Sequence, residues 1–208
     1  GRAVATCRIA MLAFDGMEAL DFAGPFEVFT TAARVHARQR PGAAPLLAVS
    51  CVARSQAPVR ARAGLRVLPD ASLAAAPPCD WLVVPGGVVD APLSCADTLG
   101  WIARRAGQAQ ITASVCTGAF LLAAAGVVRD GPVTTHWEDA AALRARFPVL
   151  QVLEGRRWVD RGPVVTSAGI SAGIDMSLHL IERLAGRALA EATAQQMDYR
   201  WIEDAAAA

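Results

Sequence analysis

Short apolar segments alternate with segments of helical spacing along almost the whole chain, and this alternation limits the fold more than any other feature. Continuous apolar runs are typical of buried strands. They predict strands at 8–14, 46–53, 81–85, 110–115, 152–159 and 163–167, with a hairpin at 59–68. Helices are predicted at 22–38, 93–106, 117–128, 138–146, 174–184 and 188–199. Strands that alternate with helices form a mostly parallel sheet covered on both faces, so we expect one α/β domain over residues 1–208 with its core at about 8–199.

The composition is that of a globular chain without a strong charge bias. Of the 208 residues, 54% are hydrophobic and 19% are charged, and the formal net charge is +1. Such a chain can bury a core, and it lacks the basic field that favours nucleic acid. No apolar run reaches the roughly 18 residues that a membrane span needs. The sequence contains no lysine, which excludes Schiff-base chemistry. We therefore expect no membrane insertion and no nucleic-acid binding by this chain.

The five cysteines predict free thiols rather than disulfides. Their number is odd, and no two of them have the spacing of a CxxC motif. This pattern is typical of a reducing compartment, so we expect a cytoplasmic protein. A zinc site needs closely spaced cysteines and histidines, whereas the three histidines lie far apart in sequence. We expect no metal and no cofactor. Four thiols lie in ordinary strand, loop or helix-start patterns and are interpreted as structural: Cys7, Cys51, Cys79 and Cys95.

The segment 113–118 carries the sharpest local signal, because a strand runs directly into a helix with Cys116 at the junction. Ligands of parallel sheets bind beyond the carboxyl ends of the strands. The small residues around Cys116 permit a sharp strand-to-helix turn, as in the nucleophile elbow of hydrolases. The N–H groups of the following helix favour a thiolate, so we expect Cys116 to be the most reactive thiol. The alternative is that Cys116 is a buried small hydrophobic residue.

Three other features could carry chemistry, and each has an ordinary alternative. Asp21 lies between apolar residues at the entry to a helix, where it either caps the helix or handles protons beside the thiol. Gly86 and Gly87 either form a plain turn or leave backbone N–H groups free for an oxyanion. His136 is either a packed side chain or a group near Cys116 that takes part in the chemistry.

Five stretches together resemble the ThiJ/PfpI superfamily, whose fold is similar to that of class I glutamine amidotransferases. The resemblance extends over about 8–199 and rests on 20–25, 84–87, 114–118, 134–137 and 166–175. Within the superfamily, the chain is most similar to isonitrile hydratases and to the ligand-sensing halves of AraC-type transcription regulators. The resemblance implies a single three-layer domain with a mostly parallel, flavodoxin-like sheet and a nucleophile elbow. It also implies a homodimer.

By position, the resemblance makes Cys116 the nucleophile and Asp21 the carboxyl group that hydrogen-bonds its thiol. In much of the superfamily the position of Asp21 holds glutamate, whereas aspartate there is similar to the isonitrile hydratase branch and also occurs in the sensor branch. The His–Glu pair of the amidotransferases has no counterpart, so a glutaminase is not expected. The expected catalytic residues are Cys116, Asp21 and Thr117, and the expected substrate- or oxyanion-binding residues are Gly86, Gly87, Gly118, His136, Gly169 and Ile170.

The resemblance implies first an enzyme that adds water to an isocyanide, R–N≡C, to give an N-substituted formamide. In that mechanism the Cys116 thiolate attacks the terminal carbon, Asp21 delivers a proton to it, and water hydrolyses the thioimidate. The first alternative is a non-catalytic sensor. AraC-type regulators carry a helix-turn-helix domain after this one, and because the sequence ends at Ala208, we expect no DNA binding from this chain. The second alternative is a glyoxalase- or deglycase-like enzyme that acts on 2-oxoaldehydes. The expected partners are a small-molecule substrate and a second copy of the chain.

Overall fold

The computed structural model describes residues 5–204, and within that range it contains eleven strands and seven α-helices. The strands are β1 (Cys7–Leu12), β2 (Leu47–Ala53), β3 (Val59–Arg60), β4 (Arg66–Val67), β5 (Ala71–Ser72), β6 (Trp81–Val84), β7 (Ile111–Val115), β8 (Gly131–Val133), β9 (Leu150–Val152), β10 (Trp158–Asp160) and β11 (Val164–Ser167). The helices are α1 (Ala19–Gln39), α2 (Asp90–Leu93), α3 (Ala96–Gln108), α4 (Gly118–Ala124), α5 (Ala140–Arg146), α6 (Ala172–Ala185) and α7 (Arg187–Gln196).

Seven strands form the central sheet in the order β10–β11–β7–β6–β1–β2–β5. Neighbouring strands are parallel except for β10, which runs antiparallel to β11. The chain moves from β1 to β2 in one direction and from β6 to β7 in the other, so right-handed crossovers place α1 and α3 on opposite faces. The predicted three-layer, mostly parallel α/β fold is therefore confirmed. The strand order reverses between β6 and β1, which is where such sheets bind ligands beyond their carboxyl ends.

Strands β6 and β7 lie at the centre of the sheet and are buried along their whole length. Because helices cover both faces, these strands are continuous apolar runs rather than alternating patterns. On the α1 face, Phe29 packs edge-on against Trp81, with ring centroids 5.8 Å apart. Helix α6 approaches β7 closely at Gly173, where an added Cβ would lie 2.8 Å from the Val115 side chain. The first contact fixes the amino end of β6, and the second fixes the carboxyl end of β7.

Most predicted elements are confirmed, and the exceptions have local causes. The predicted strand 152–159 is two strands in different sheets, because the chain turns between them at Gly155, whose φ is 73°. The predicted helix 117–128 ends at Ala124, shortly before Gly126, which has a φ of 76°. Helix α1 begins at Ala19, earlier than predicted, and continues through Pro25. Strands β5 and β8 and helix α2 had no sequence signal strong enough to predict them.

Within residues 5–204, no helix combines the length and apolar character needed to cross a membrane. Nearly all buried apolar side chains of the same residues form one connected core. The predicted domain limits at residues 1 and 208 lie outside the described residues.

Candidate active site

Cys116 lies at a tight elbow between the end of β7 and the start of α4. Its φ of 56° is in the left-handed region, which costs a residue other than glycine about 1–3 kcal/mol. The surrounding chain holds this conformation. The Cys116 N–H is shared between the carbonyls of Ser167 and Ala168, and the Thr135 hydroxyl donates to the Cys116 carbonyl at 2.8 Å. The predicted strand-to-helix elbow is therefore confirmed, and it turns the thiol out of the strand direction.

Two glycines make the elbow sterically feasible. A Cβ added at Gly118 would lie 2.3 Å from the Val84 carbonyl oxygen, and one added at Gly86 would lie 2.5 Å from the Thr117 nitrogen. Any larger residue at either position would push the loop after β6 away from the elbow. Close backbone packing thus explains both glycines, and the substrate-binding role expected for Gly118 remains a prediction.

Asp21 is the third residue of α1, and its side chain is fully buried. It does not cap its own helix. Its Oδ2 accepts the backbone N–H of Gly86 at 3.0 Å, whereas Oδ1 is buried without a hydrogen-bond partner among the described residues. Burial raises the pKa of the Asp21 carboxyl to about 7, and the charge of Glu18 raises it further, while Gly86, Cys116 and Arg62 oppose the rise. Asp21 is therefore not the N-cap, although it does lie in the first turn of α1 as the alternative interpretation allowed. Its raised pKa suits proton exchange near neutral pH, and the catalytic role stays a prediction.

Cys116 is buried, with 7% of the residue exposed. Burial raises its pKa to about 12, and the charge of Asp21 adds to the rise. The backbone N–H groups of Thr117 and Ile170 lower the pKa but do not outweigh burial. The expectation of a preformed thiolate is therefore wrong. The Cys116 thiol in turn lowers the pKa of the Asp21 carboxyl, so the two groups lie close enough to act on each other.

In the loop after β6, the backbone N–H groups that were expected to bind an oxyanion already make internal hydrogen bonds. The Gly86 N–H donates to Asp21, and the Gly87 N–H donates to the Thr117 hydroxyl oxygen at 2.9 Å. The Thr117 hydroxyl in turn donates to the Gly87 carbonyl at 2.9 Å. The expectation that the Gly86 and Gly87 amides are free is therefore wrong, because both already have internal acceptors. The catalytic role expected for Thr117 stays a prediction, and the contact observed for its hydroxyl is structural.

His136 lies against Gly169 rather than in hydrogen-bond contact with Cys116. A Cβ added at Gly169 would lie 2.0 Å from the His136 Cδ2 atom, so only glycine leaves room for the ring. The His136 Nδ1 accepts the Glu138 N–H at 3.1 Å, and the ring stacks on Trp137 with centroids 5.7 Å apart. The structure therefore supports the packed alternative for this histidine.

An open cleft adjoins the elbow, and we call it the side cleft. It has a volume of about 520 Å³ and is lined by 134–137, 154–157 and 168–171. Thr135 and Ile170 belong to its wall and also contact Cys116, through the Thr135 hydroxyl and the Ile170 N–H. The side cleft thus brings three of the predicted binding residues together: His136, Gly169 and Ile170. Nowhere in residues 5–204 do three or more His, Cys, Asp or Glu side chains form a cluster that could hold a metal ion.

A salt bridge missed by sequence reasoning lies beside Asp21. Arg62, in the hairpin between β3 and β4, lies 3.5 Å from Glu18, the residue that precedes α1. The Arg62 N–H also donates to the Met17 carbonyl at 2.9 Å, which joins the hairpin to the start of the helix. Both charges act on the pKa of the Asp21 carboxyl, in opposite directions. No local pattern marks Arg62, because only the folded chain brings it next to residue 18.

Cys95 differs from the other four cysteines in the direction of its pKa shift, and its predicted structural role stays a prediction. It precedes α3, and the Thr98 hydroxyl donates to its sulfur at 3.3 Å. This hydrogen bond lowers the pKa of the Cys95 thiol, whereas burial raises the pKa of Cys7, Cys51, Cys79 and Cys116. The Cys95 thiol therefore ionises more easily than the Cys116 thiol. The sequence signal for this was a cysteine three residues before a threonine at the start of a helix.

Comparisons with known proteins agree with the geometry. The chain is 32% identical over 194 residues to the isonitrile hydratase of Pseudomonas putida, covering 92% of this chain and 78% of that protein. It is 34% identical over 141 residues to the HTH-type transcriptional regulator GbdR of Pseudomonas aeruginosa, covering 68% of this chain and 38% of the regulator. The crystal structure of a ThiJ/PfpI family protein from Pseudomonas syringae superposes with a TM-score of 0.82 at 30% identity, covering 99% of this chain and 80% of that one.

The family model described as DJ-1/PfpI matches residues 7–183, a range that contains the elbow, Asp21 and the whole side cleft. This match confirms the resemblance to the ThiJ/PfpI superfamily inferred from the motifs. The chain therefore belongs to the DJ-1/PfpI family.

Proposed function

We propose that this protein is a hydratase that adds water to an isocyanide, R–N≡C, and releases the formamide R–NH–CHO. The observation that carries the proposal is the buried Asp21 carboxyl beside Cys116. Its pKa is raised to about 7, and its Oδ1 has no hydrogen-bond partner among the described residues. A group that both takes and gives protons works best with a pKa near the operating pH. Similarity to an isonitrile hydratase over 92% of the chain supports the same reaction.

The first step adds the S–H of Cys116 to the terminal carbon of the isocyanide. Because the pKa of the thiol is about 12, a base must remove its proton as the sulfur attacks. Ionised Asp21 takes that proton while the C–S bond forms. The attack leaves an electron pair on the same carbon, and Asp21 returns the proton there to give the thioimidate R–N=CH–S–Cys116. A proton shuttle thus replaces the preformed thiolate expected from the sequence.

The second step consumes one water molecule. Asp21, ionised again, accepts a proton from the water as its oxygen attacks the thioimidate carbon, and it passes this proton to the nitrogen. The product of that addition is R–NH–CH(OH)–S–Cys116. The C–S bond then breaks, the hydroxyl proton moves through Asp21 to the sulfur, and the formamide leaves. The thiol and the carboxylate are both restored.

The hydrogen bonds around Gly86 and Gly87 favour this reaction over a glyoxalase-like one. Attack of a thiol on a carbonyl puts negative charge on oxygen, which needs free N–H donors. The Gly86 and Gly87 N–H groups already donate to Asp21 and Thr117. Attack on an isocyanide puts the charge on carbon and needs a proton donor instead, a role that suits the carboxyl of Asp21.

A second candidate function is ligand sensing without chemistry. The observation in its favour is that Cys116 is buried and its thiol has a raised pKa, which is typical of an inert cysteine. The similarity to the regulator GbdR agrees with this candidate. In such a sensor the side cleft would bind a ligand that leaves the protein unchanged.

Turnover of n-butyl isocyanide, followed by the formamide proton in ¹H NMR spectra, tests the proposal against both alternatives. We expect formamide from the wild type and from C51S, which alters another buried thiol, and none from C116S. Methylglyoxal should remain unconverted. Binding of the isocyanide without any formamide would favour the sensor, and conversion of methylglyoxal alone would favour the glyoxalase.

A further inference from the structure

Among the charged side chains that line the side cleft, one arginine has no hydrogen-bond or salt-bridge partner within the described residues. Glu154 pairs with Arg144 at 2.9 Å, and Arg157 pairs with the buried Asp175. Arg156 lies between these two pairs in sequence and lines the same cleft. No hydrogen bond or salt bridge joins its guanidinium to any group among residues 5–204, although the residue is only partly exposed. A guanidinium at such a place is available to an anionic ligand.

Apolar surface lies in the same cleft. Trp137 is 74% exposed, which is unusual for the largest apolar side chain. Its ring is held in place by stacking on His136. A rigid exposed indole offers contact area to an aliphatic or aromatic group at little entropic cost. The cleft therefore presents one planar cation together with one large apolar face.

The cleft also lies next to the elbow that carries the candidate nucleophile, although Cys116 itself is not among its lining residues. Thr135 and Ile170 form part of its wall and contact Cys116 from the other side. A volume of about 520 Å³ lies within the range of small-molecule sites. A substrate whose reactive end meets Cys116 would therefore extend its other end along Trp137 towards Arg156.

We propose that the R group of the substrate carries a carboxylate that binds Arg156 and an apolar stem that packs on Trp137. This inference rests on the proposed isocyanide hydration and names the substrate class of that site. The substrates would be isocyano acids, and the products would be N-formyl amino acids. Arginine suits this role because its N–H groups bind both oxygens of a carboxylate at once.

The test compares ω-isocyanoalkanoates of graded chain length with their methyl esters, which lack the negative charge. We expect the best acid to exceed its ester in kcat/KM by about tenfold or more, as for a charge-assisted pair that is partly exposed. R156Q should lower the kcat/KM of the acid to that of its ester, while R156K should retain part of the preference. R34Q, which removes an exposed arginine of α1, is the matched control and should behave like the wild type.

Binding of the product separates failure of this inference from failure of the proposed reaction. Calorimetric titration with N-formyl ω-amino acids and their methyl esters requires no turnover. Tighter binding of the acid that is lost in R156Q would support the carboxylate subsite, even if no isocyanide were converted. Equal kcat/KM for acid and ester in the wild type, or an acid preference that survives in R156Q, would overturn the subsite and leave the hydration intact.

Discussion

Replacing Asp21 with asparagine should remove turnover and stabilise the protein at alkaline pH. The carboxyl is fully buried, and burial raises its pKa to about 7 from the ordinary value of 3.8. The folded state therefore holds the proton of Asp21 more tightly than the unfolded state does. As the pH rises from 3.8 towards 7, only the unfolded state releases this proton, so the free energy of unfolding falls over that window. Asparagine is neutral, fits the same space and accepts the Gly86 N–H, and it does not pay this penalty.

The magnitude follows from the two pKa values. Between pH 5 and pH 8 the wild type loses stability over about two pH units, which corresponds to about 2–3 kcal/mol. The free energy of unfolding of D21N relative to the wild type should therefore increase by about that amount between the two pH values. Taking this difference cancels any constant cost of burying the amide.

Urea unfolding at pH 5 and pH 8, followed by tryptophan fluorescence, measures the effect. D90N alters an exposed carboxylate and is the control, with the same pH dependence as the wild type expected. Parallel pH profiles for D21N and the wild type would show that Asp21 ionises at an ordinary pH. That result would remove the basis of the proton shuttle, because a carboxylate of ordinary pKa is a much weaker base towards a thiol whose own pKa is raised.

The remaining predictions concern the thiols, the elbow and the assembly. Limited alkylation with iodoacetamide followed by peptide mapping should label Cys95 before Cys116. The thiol pKa is lowered at Cys95 and raised to about 12 at Cys116. Labelling of Cys116 first would contradict the inference that burial keeps its thiol protonated. G118A should destabilise the protein by about 2 kcal/mol or more in urea unfolding, since its Cβ would lie 2.3 Å from the Val84 carbonyl oxygen, whereas G107A, which has open space around it, should be neutral. Sedimentation equilibrium should give twice the 21.7 kDa of one chain, as expected for the homodimer implied by the superfamily, and a monomer at micromolar concentration would be the opposite result.

The fold was predictable because its central strands are buried on both faces. β6 and β7 are short apolar runs bounded by turn residues, and such runs between helical segments leave little choice other than a parallel sheet. The pairing partners were not predictable from local pattern. Strand β9 pairs with β8, whereas β10 belongs to the central sheet. The chain separates into these two strands at the turn at Gly155, and the spacing of the apolar residues does not reveal this turn.

The candidate site was predictable in its residues but not in its electrostatics. The motifs place Asp21 in the helix after the first strand and Cys116 directly after β7, and the folded chain does bring them together. From the sequence, the N–H groups at the start of the helix were expected to lower the pKa of the Cys116 thiol enough to produce a thiolate. In the structure α4 has only seven residues and the sulfur is buried, so desolvation outweighs the amides. Burial depends on the whole fold, and no local sequence pattern at Cys116 predicts it.

Rapid-quench mass spectrometry during isocyanide turnover tests the central claim most directly. The account predicts a transient adduct on the peptide that contains Cys116, heavier by the mass of one intact isocyanide, because S–H adds to the carbon without loss of any atom. The adduct should decay to free thiol as the formamide appears, and it should be absent from C116S. Formamide production by C116S, or an adduct on Cys95 in its place, would contradict the account.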